Sequence, residues 1–484
     1  MIAIVLISFF IALMVGVGIW GMKKTATLND FFLGGRNIGP FVSAFAYGTT
    51  YFSAVVFIGF AGQFGWIFGL NSLWIAVGNA FLGAFLAWMV LGRRTRIMTQ
   101  NLDAMTMPEF LQSRYGGKYI KIIAAIIIFM FLLPYSASVF KGLGYLFEVN
   151  FSISFDLALL IIMAITAIYL ILGGYFAVTI TDFIQGFVMI GGAVLMAVII
   201  SGKAGGIINS LQTVSMNYCK HVYAAAKPDY FMLFAIVFMT SFGAWGMPQM
   251  IQKFYSIKND KVIKLAAFTT LFFAFVITAC AYYTGALTHV FFDSPIVING
   301  VAQYDRMIPE LLIRYIPEFI VALILLLVLS ASMSTLASLI LVSASSISID
   351  LYKGNINPGI SSKNSVIMMR FLSGIFIVIS YFIARYEFAF IVMLMSLSWG
   401  VIAGGFLAPY VYGLYWKRTT LLGAKAGMIS GILTAVILFF ALGPQKSPIS
   451  ASIAMTVPFI VVPVVSLFTK KVNKRILVKA FKNI

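Results

Sequence analysis

Ala331, Ser334, Thr335 and Ser338 share one stripe of a helix, because about 100° of rotation per residue places them within a single arc. Three of the four carry hydroxyls inside an otherwise apolar run. Hydroxyl oxygens, joined by backbone carbonyls freed from a helix, are the ligands that a hard cation such as sodium needs, and they bring no full charge into lipid. The same side chains also serve close helix packing, or bond back to the carbonyl of the preceding turn. On this stripe alone both readings stand. Asp182, in Val178-Thr179-Ile180-Thr181-Asp182-Phe183, is read as the carboxylate within the body of an apolar run, with Asp156, Glu318, Asp350 and Glu387 at run ends. Such a group costs about 2.5–3.5 kcal/mol on insertion scales. It fits an ion exit path, or a cap for the helix that follows Gly173-Gly174. Lys141, near the outer end of its run, either snorkels to the interface or anchors a solute carboxylate.

Other chemistries are missing from the chain. Cys219 and Cys280 are the only cysteines and His221 and His289 the only histidines, too few and too scattered for a metal cluster or a disulfide framework. There is no phosphate-binding loop, no G-x-S-x-G and no H-E-x-x-H. The reading is therefore not an enzyme, and any uphill work must draw on an ion gradient.

The elements that would position the oxygens are two interrupted membrane helices. One apolar run, near 40–66, contains Ser43 and Gly48-Thr49-Thr50-Tyr51-Phe52-Ser53; another, near 230–251, is broken by Gly243-Ala244-Trp245-Gly246-Met247-Pro248. Non-helical backbone persists at membrane depth only where protein buries it or where it lines a wet cavity. Paired breaks in corresponding positions of two halves point to a midplane binding site. The first break is expected to leave open main chain over 46–50.

Composition sets the class. The chain has 484 residues, 62% hydrophobic and 10% charged, with a mean hydropathy of +1.02. Soluble domains carry about 25% charged residues, so this is an all-α polytopic membrane protein set in a lipid bilayer. Apolar runs give 13 spans, near 2–22, 40–66, 70–92, 120–147, 153–174, 177–201, 230–251, 263–290, 317–350, 364–384, 387–416, 420–442 and 448–468. The first lacks a basic leader and a small-residue cleavage pattern, so it reads as a retained span. Setting aside the first and last two leaves ten, divided five and five. A repeat with an odd number of spans inverts its partner. The expected organisation is a single transporter domain: a peripheral span 2–22, a first repeat about 40–201, a second about 230–416, peripheral spans about 420–468, and a tail 469–484.

The net charge of +19 is a topology signal, not a nucleic-acid surface. With the N-terminus outside, most of the 33 basic residues fall on the cytoplasmic side, among them Lys23, Lys24, Arg93, Arg94, Arg96, Lys253, Lys258, Lys261, Lys417, Arg418 and the tail Lys470-Lys471, Lys474-Arg475. Lys203, Lys220, Lys227, Arg306, Arg314, Arg385 and Lys446 fall outside. This is the positive-inside bias, and the basic tail also meets anionic lipid. The expected location is the cell membrane, multi-pass, N-terminus out and C-terminus cytoplasmic, with no nucleic-acid partner.

Several strings resemble the sodium:solute symporter family over nearly the whole chain. They are Asp30-Phe31-Phe32-Leu33-Gly34-Gly35-Arg36, Gly173-Gly174 with Thr181-Asp182, Ser334-Thr335-Leu336 with Ser345-Ser346-Ile347 and Asp350-Leu351-Tyr352, and Ala408-Pro409-Tyr410 with Gly413-Leu414-Tyr415-Trp416-Lys417-Arg418. Their order and spacing carry the likeness. The resemblance implies the inverted five-helix repeat of the leucine transporter. It also implies a sodium ion held by main chain at Ala46 and Thr49, with Ala331, Ser334 and Thr335 opposite. A second ion would use Ser338 and Asp182, but Ala337 stands where a serine is expected, so one ion is the expectation.

Within the family the chain is most similar to the sodium/proline and pantothenate branch, through Tyr135-x-Ala137-Ser138, Leu146-Phe147-Glu148, and Gly246-x-Pro248 with Lys253-Phe254. The Trp and Tyr that precede this proline in the proline carriers are Thr240 and Ala244 here, which argues against proline itself. Candidate solute contacts are Tyr135, Trp245 and Pro248, with Thr50, Ser53, Gln63, Lys141 and Ser398 as polar candidates; simple packing is the alternative for each aromatic. The expected function is sodium-coupled symport of a small polar or anionic organic solute, amino acid or carboxylate, by alternating access. The rivals are proton coupling through Asp182 and, from another class, a sensor or channel on this scaffold. Neither the solute nor the oligomeric state is encoded in any of these motifs.

Overall fold

A computed structural model of the chain describes residues 2–22, 32–172, 175–223, 227–386 and 389–484. Lys23, Lys24, Asp30, Phe31, Gly173, Gly174 and Glu387 lie outside the described residues. Among those described, the molecule is helical throughout, apart from a two-residue hairpin pairing Val297–Ile298 with Val301–Ala302 and a single bridge between Ile38 and Ile257.

Among the described residues, ten helices are long and apolar enough to cross a membrane, or 11 if a bent pair counts as one. The expected 13 differ from this at three places, for identifiable reasons. The first broken run is in short pieces, and its outer half merges with the following span into Val55–Asn101. The second is the bent pair, Tyr230–Gly246 with Pro248–Tyr255, at 48°. The run after Lys118–Phe151 is helix Phe155–Leu172, which ends against residues 173–174, outside the described residues.

Burial separates the centre from the edge. In Ile391–Tyr415 and Glu318–Ile356, 89% and 78% of the most apolar stretch is buried by protein, against 28% for Ala3–Trp20 and 22% for Leu421–Leu442. The last two therefore leave most of their apolar surface for lipid, as a helix at a bundle's edge must. The helix Tyr175–Lys203 packs against both Pro40–Tyr51 and Glu318–Ser345, and so brings the first break and the hydroxyl stripe together. Close approach here relies on missing side chains. A Cβ on Gly65 would strike the main chain of Gly285, so helices Ala61–Phe68 and Lys261–Phe291 touch backbone to backbone.

Candidate functional site

Pro40 opens the first broken helix at its N-terminal turn, where a missing N–H costs nothing. The helix then runs unbroken to Tyr51 and ends at Phe52, which is extended (φ −114°, ψ 126°). The opening expected over 46–50 is thus displaced: those residues are helical, and the break lies at Phe52-Ser53. Gly48 does not break the helix. Its absent side chain lets the Phe273 ring lie on the helix backbone, where a Cβ would collide with it. Ala46 consequently presents a carbonyl from within the helix, touched by the Thr49 hydroxyl at 3.5 Å. The carbonyls of Thr49 and Thr50 belong to the last turn, which has no further helical N–H to accept.

Helix Glu318–Ser345 supplies what the break lacks. Thr335 Oγ1 lies 3.3 Å from the Thr49 carbonyl oxygen, 3.2 Å from that of Thr50 and 3.1 Å from that of Ala331. Ser332 Oγ accepts from the Ala54 N–H at 3.1 Å and donates to the Val328 carbonyl. Ser334 Oγ sits 2.8 Å from Thr49 Oγ1 and 2.6 Å from Asp182 Oδ1. Ser338 Oγ is 3.0 Å from Thr50 Oγ1. Inside this knot, Ser53 Oγ accepts from the Val55 N–H at 3.2 Å. The structure therefore gathers Thr49, Thr50, Asp182, Ser334, Thr335 and Ser338 into one buried oxygen cluster, with Ala46 and Ala331 at its margin. Every donor atom is a hard oxygen, and the only net charges are a carboxylate and the ammonium beside it.

That ammonium is Lys253. The sequence places it with the cytoplasmic basic residues, because the second broken apolar run ends at 251. Helix Pro248–Tyr255 continues past that point and carries Lys253 inward, with its side chain 1% exposed. Its Nζ lies 3.2 Å from Asp182 Oδ2 and 3.2 Å from Ser338 Oγ. Asp182 is fully buried in turn. It binds Lys253 and Ser334 rather than the amides of its own first turn, so it is not a helix cap.

The second break follows the expected residues. Helix Tyr230–Gly243 tightens through Ala244–Gly246, Met247 is extended, and Pro248 restarts the chain. Above the oxygen cluster, Tyr51, Phe52, Asn79, Thr240, Tyr282 and Trp399 line a cavity of about 10 Å³, room for about one water. Tyr51 donates to the Thr240 carbonyl and stacks on Phe52, ring centroids 4.3 Å apart. Tyr135 stands edge-on to Trp399 at 5.9 Å. The buried hydroxyl of Tyr282 has no hydrogen-bond partner among the described residues.

The other candidates lie elsewhere. Gln63 lines a cavity of about 420 Å³ on the face of Asp229, Tyr304 and Lys446. Lys141, 2% exposed, donates to the Ala389 carbonyl at 2.8 Å and neither snorkels into water nor enters the central cavity. Trp245 donates to the Leu82 carbonyl, and Ser398 to that of Phe131. Pro248 faces the opposite end of the bundle, with Gln252, Tyr255 and Asp350 around a cavity of about 10 Å³.

At that end Asp350, read as a run-end residue, is fully buried. It accepts from Thr106 Oγ1 at 2.6 Å, and Lys121 Nζ lies 3.5 Å from it and 3.3 Å from Glu109. Thr106 also caps helix Met107–Tyr115 by accepting the Glu109 N–H, and the Glu109 carboxylate accepts the N–H of Met105 just before the cap. Arg114 from the same helix donates to the Gly413 and Trp416 carbonyls. This end is laced shut. Sequence reasoning missed Lys253, Ser332, Asn79, Tyr282 and this cluster. A lysine five residues after a helix-opening proline, followed by Phe254-Tyr255, was the available signal for the first.

The sequence profile of the sodium:solute symporter family matches residues 31–431. The chain is 30% identical to the osmoregulated proline transporter of Bacillus subtilis over 459 residues, covering 91% of this chain and 88% of that one. It is 29% identical to the sodium/proline symporter of Escherichia coli over 429 residues, covering 88% and 85%. Among solved structures, the outward-open, substrate-bound state of a Na+-coupled sialic acid symporter superposes with a TM-score of 0.79 at 17% identity, covering 98% of both chains. A nucleobase-cation-symport-1 family transporter in a closed conformation gives 0.55 at 14% identity, covering 93% and 97%. At such identities the likeness is one of fold, that of leucine-transporter-like carriers.

Proposed function

The chain belongs to the sodium:solute symporter family, whose members are transporters and not enzymes, and from that premise we propose that it is a sodium-coupled secondary symporter importing a small polar or anionic organic solute. One observation carries the reading. The last carbonyls of a broken helix face a row of hydroxyls and a carboxylate, all of them hard oxygens and all buried. Sodium binds where Thr49 and Ala46 meet Ala331, Ser334 and Thr335, and its charge ties helix Pro40–Tyr51 to helix Glu318–Ser345. That tie holds Tyr51 and Phe52, the residues at the break, in the wall of the central cavity.

Solute enters from the 420 Å³ cavity, whose Asp229 and Lys446 offer both signs of charge to a zwitterion. It then displaces the rings around Trp399 and is oriented by the Tyr282 hydroxyl, a donor suited to a carboxylate oxygen. The relatives named for proline make an α-amino acid the first solute class to test. Exit requires opening the Asp350–Thr106–Lys121 cluster. Binding of the two cargoes is reciprocal: the factor by which sodium raises solute affinity is the factor by which solute raises sodium affinity. The N-terminus lies outside and the C-terminus in the cytoplasm, with two inverted repeats at about 40–201 and 230–416.

The test is uptake into proteoliposomes across a panel of amino acids and carboxylates, L-proline included, under an inward sodium gradient, an inward proton gradient, or neither. Accumulation under sodium alone supports the reading. Accumulation under the proton gradient without sodium replaces it with proton coupling, and gradient-independent equilibration replaces it with a passive pore.

A further inference from the structure

Lys253 does not belong to the oxygen set that would hold sodium, yet it touches that set at two points. Its ammonium lies 3.2 Å from Asp182 Oδ2 and 3.2 Å from Ser338 Oγ, and the Ser338 hydroxyl continues to Thr50 Oγ1 at 3.0 Å. Asp182 has one oxygen on each side of the divide. Oδ1 faces Ser334 and the Thr49/Thr335 cluster, while Oδ2 faces the lysine. The carboxylate and the Ser338 and Thr50 hydroxyls are what a second small cation would use, and the ammonium stands among them.

We infer that Lys253 is a built-in cation that occupies the place of a second sodium ion and so fixes the ion count at one. The inference rests on the sodium-symport reading above and adds to it the residue that sets stoichiometry. The charge argument is direct. Asp182 is the one carboxylate in the cluster, and the lysine already compensates it. A further ion beside Ser338 would meet a fixed like charge at contact distance, with no second anion to offset it. An ion at Thr49, Ser334 and Thr335 instead keeps the carboxylate between itself and the ammonium. The lysine differs from a free ion in one respect that matters for transport: it is tethered to helix Pro248–Tyr255 and is never released. One charge, not two, then crosses the membrane with each zwitterionic solute. The same tether joins the inner half of the second broken helix to helices Tyr175–Lys203 and Glu318–Ser345, so the ammonium also fills the mechanical role of an ion that bridges moving parts.

The experiment counts sodium ions bound by the purified full chain in lipid nanodiscs, using radioactive sodium alone with potassium as the background salt. The unmodified protein should bind one ion per chain. Lys253→Met should bind two, because Asp182, Ser338 and Thr50 are released to a free ion. Lys253→Arg, which keeps the charge, and the double variant Lys253→Met/Asp182→Asn, which removes both charges, should each return to at most one. Two ions on the unmodified protein, or one on a folded Lys253→Met, overturns the inference while leaving sodium symport intact. No bound sodium on the unmodified protein overturns both. Should Lys253→Met not fold, the counts on the unmodified protein and on Lys253→Arg still decide, since two ions on either contradicts a cation fixed at that place.

Discussion

The hydroxyl of Ser332 accepts the N–H of Ala54 at 3.1 Å, one helix supplying the hydrogen bond that another gave up when it broke. In hydrocarbon no water replaces such a partner, so Ser332 belongs to the break as much as Phe52 and Ser53 do. Ser332→Ala leaves a buried amide unmatched, which costs about 1–3 kcal/mol. The expected result is a lower melting temperature in detergent, with Ser332→Thr recovering most of it.

Asp182 and Lys253 form a fully buried pair, and removing one partner strands the other. Breaking such a pair costs about 3–5 kcal/mol. Asp182→Asn should therefore sharply reduce the amount of folded protein, and Asp182→Asn/Lys253→Met should recover part of it. Size-exclusion profiles and thermal melts of the two variants beside the unmodified protein check this; equal loss in the single and double variants would contradict it.

Tyr282 places at the wall of the central cavity a hydroxyl with no hydrogen-bond partner among the described residues. Tyr282→Phe removes the hydroxyl and keeps the ring, so its effect on packing is small. For the transported solute it should raise the KM by roughly tenfold, the equivalent of about 1.4 kcal/mol, while the sodium concentration for half-maximal uptake at saturating solute stays within about twofold. Uptake curves in both variables distinguish a solute contact from an ion contact.

The Asp350–Thr106–Lys121 cluster holds the end of the bundle lined by Pro248 and Gln252 closed. Thr106→Ala or Lys121→Met should open it more often. In a background with Cys219 and Cys280 replaced by serine, a cysteine substituted for Gln252 should react several-fold faster with an impermeant thiol reagent applied from the cytoplasmic side. Unchanged labelling would mean that the cluster is not what keeps this end shut.

How far the sequence reached depends on which residues carry a local signal. The helix class, the second break and the hydroxyl stripe were legible because apolar runs, the Gly246-Met247-Pro248 punctuation and helical spacing are local properties. The site of the first break was not. Gly48 looked like a helix breaker, but its role is to admit the Phe273 ring, which comes from more than 200 residues away. Lys253 read as a surface charge because nothing near it in the chain foretells Asp182, which reaches it from another helix. Lys141 read as a snorkelling residue or a solute anchor for the same reason, one partner being the carbonyl of Ala389. The polar groups of this bundle are paired across helices, and a single sequence does not carry those pairings.

The account stands most directly on the sodium dependence of solute uptake by Ser334→Ala/Thr335→Ala. The Thr335 hydroxyl faces the open carbonyls of Thr49 and Thr50, the Ser334 hydroxyl faces Thr49 Oγ1 and Asp182 Oδ1, and none of these partners lines the solute cavity. Loss of two oxygen ligands, each worth about 1 kcal/mol, should raise the half-saturating sodium concentration at least tenfold, with maximal uptake approached again at high sodium. An unchanged sodium curve in a folded double variant would contradict the site, and the coupling derived from it.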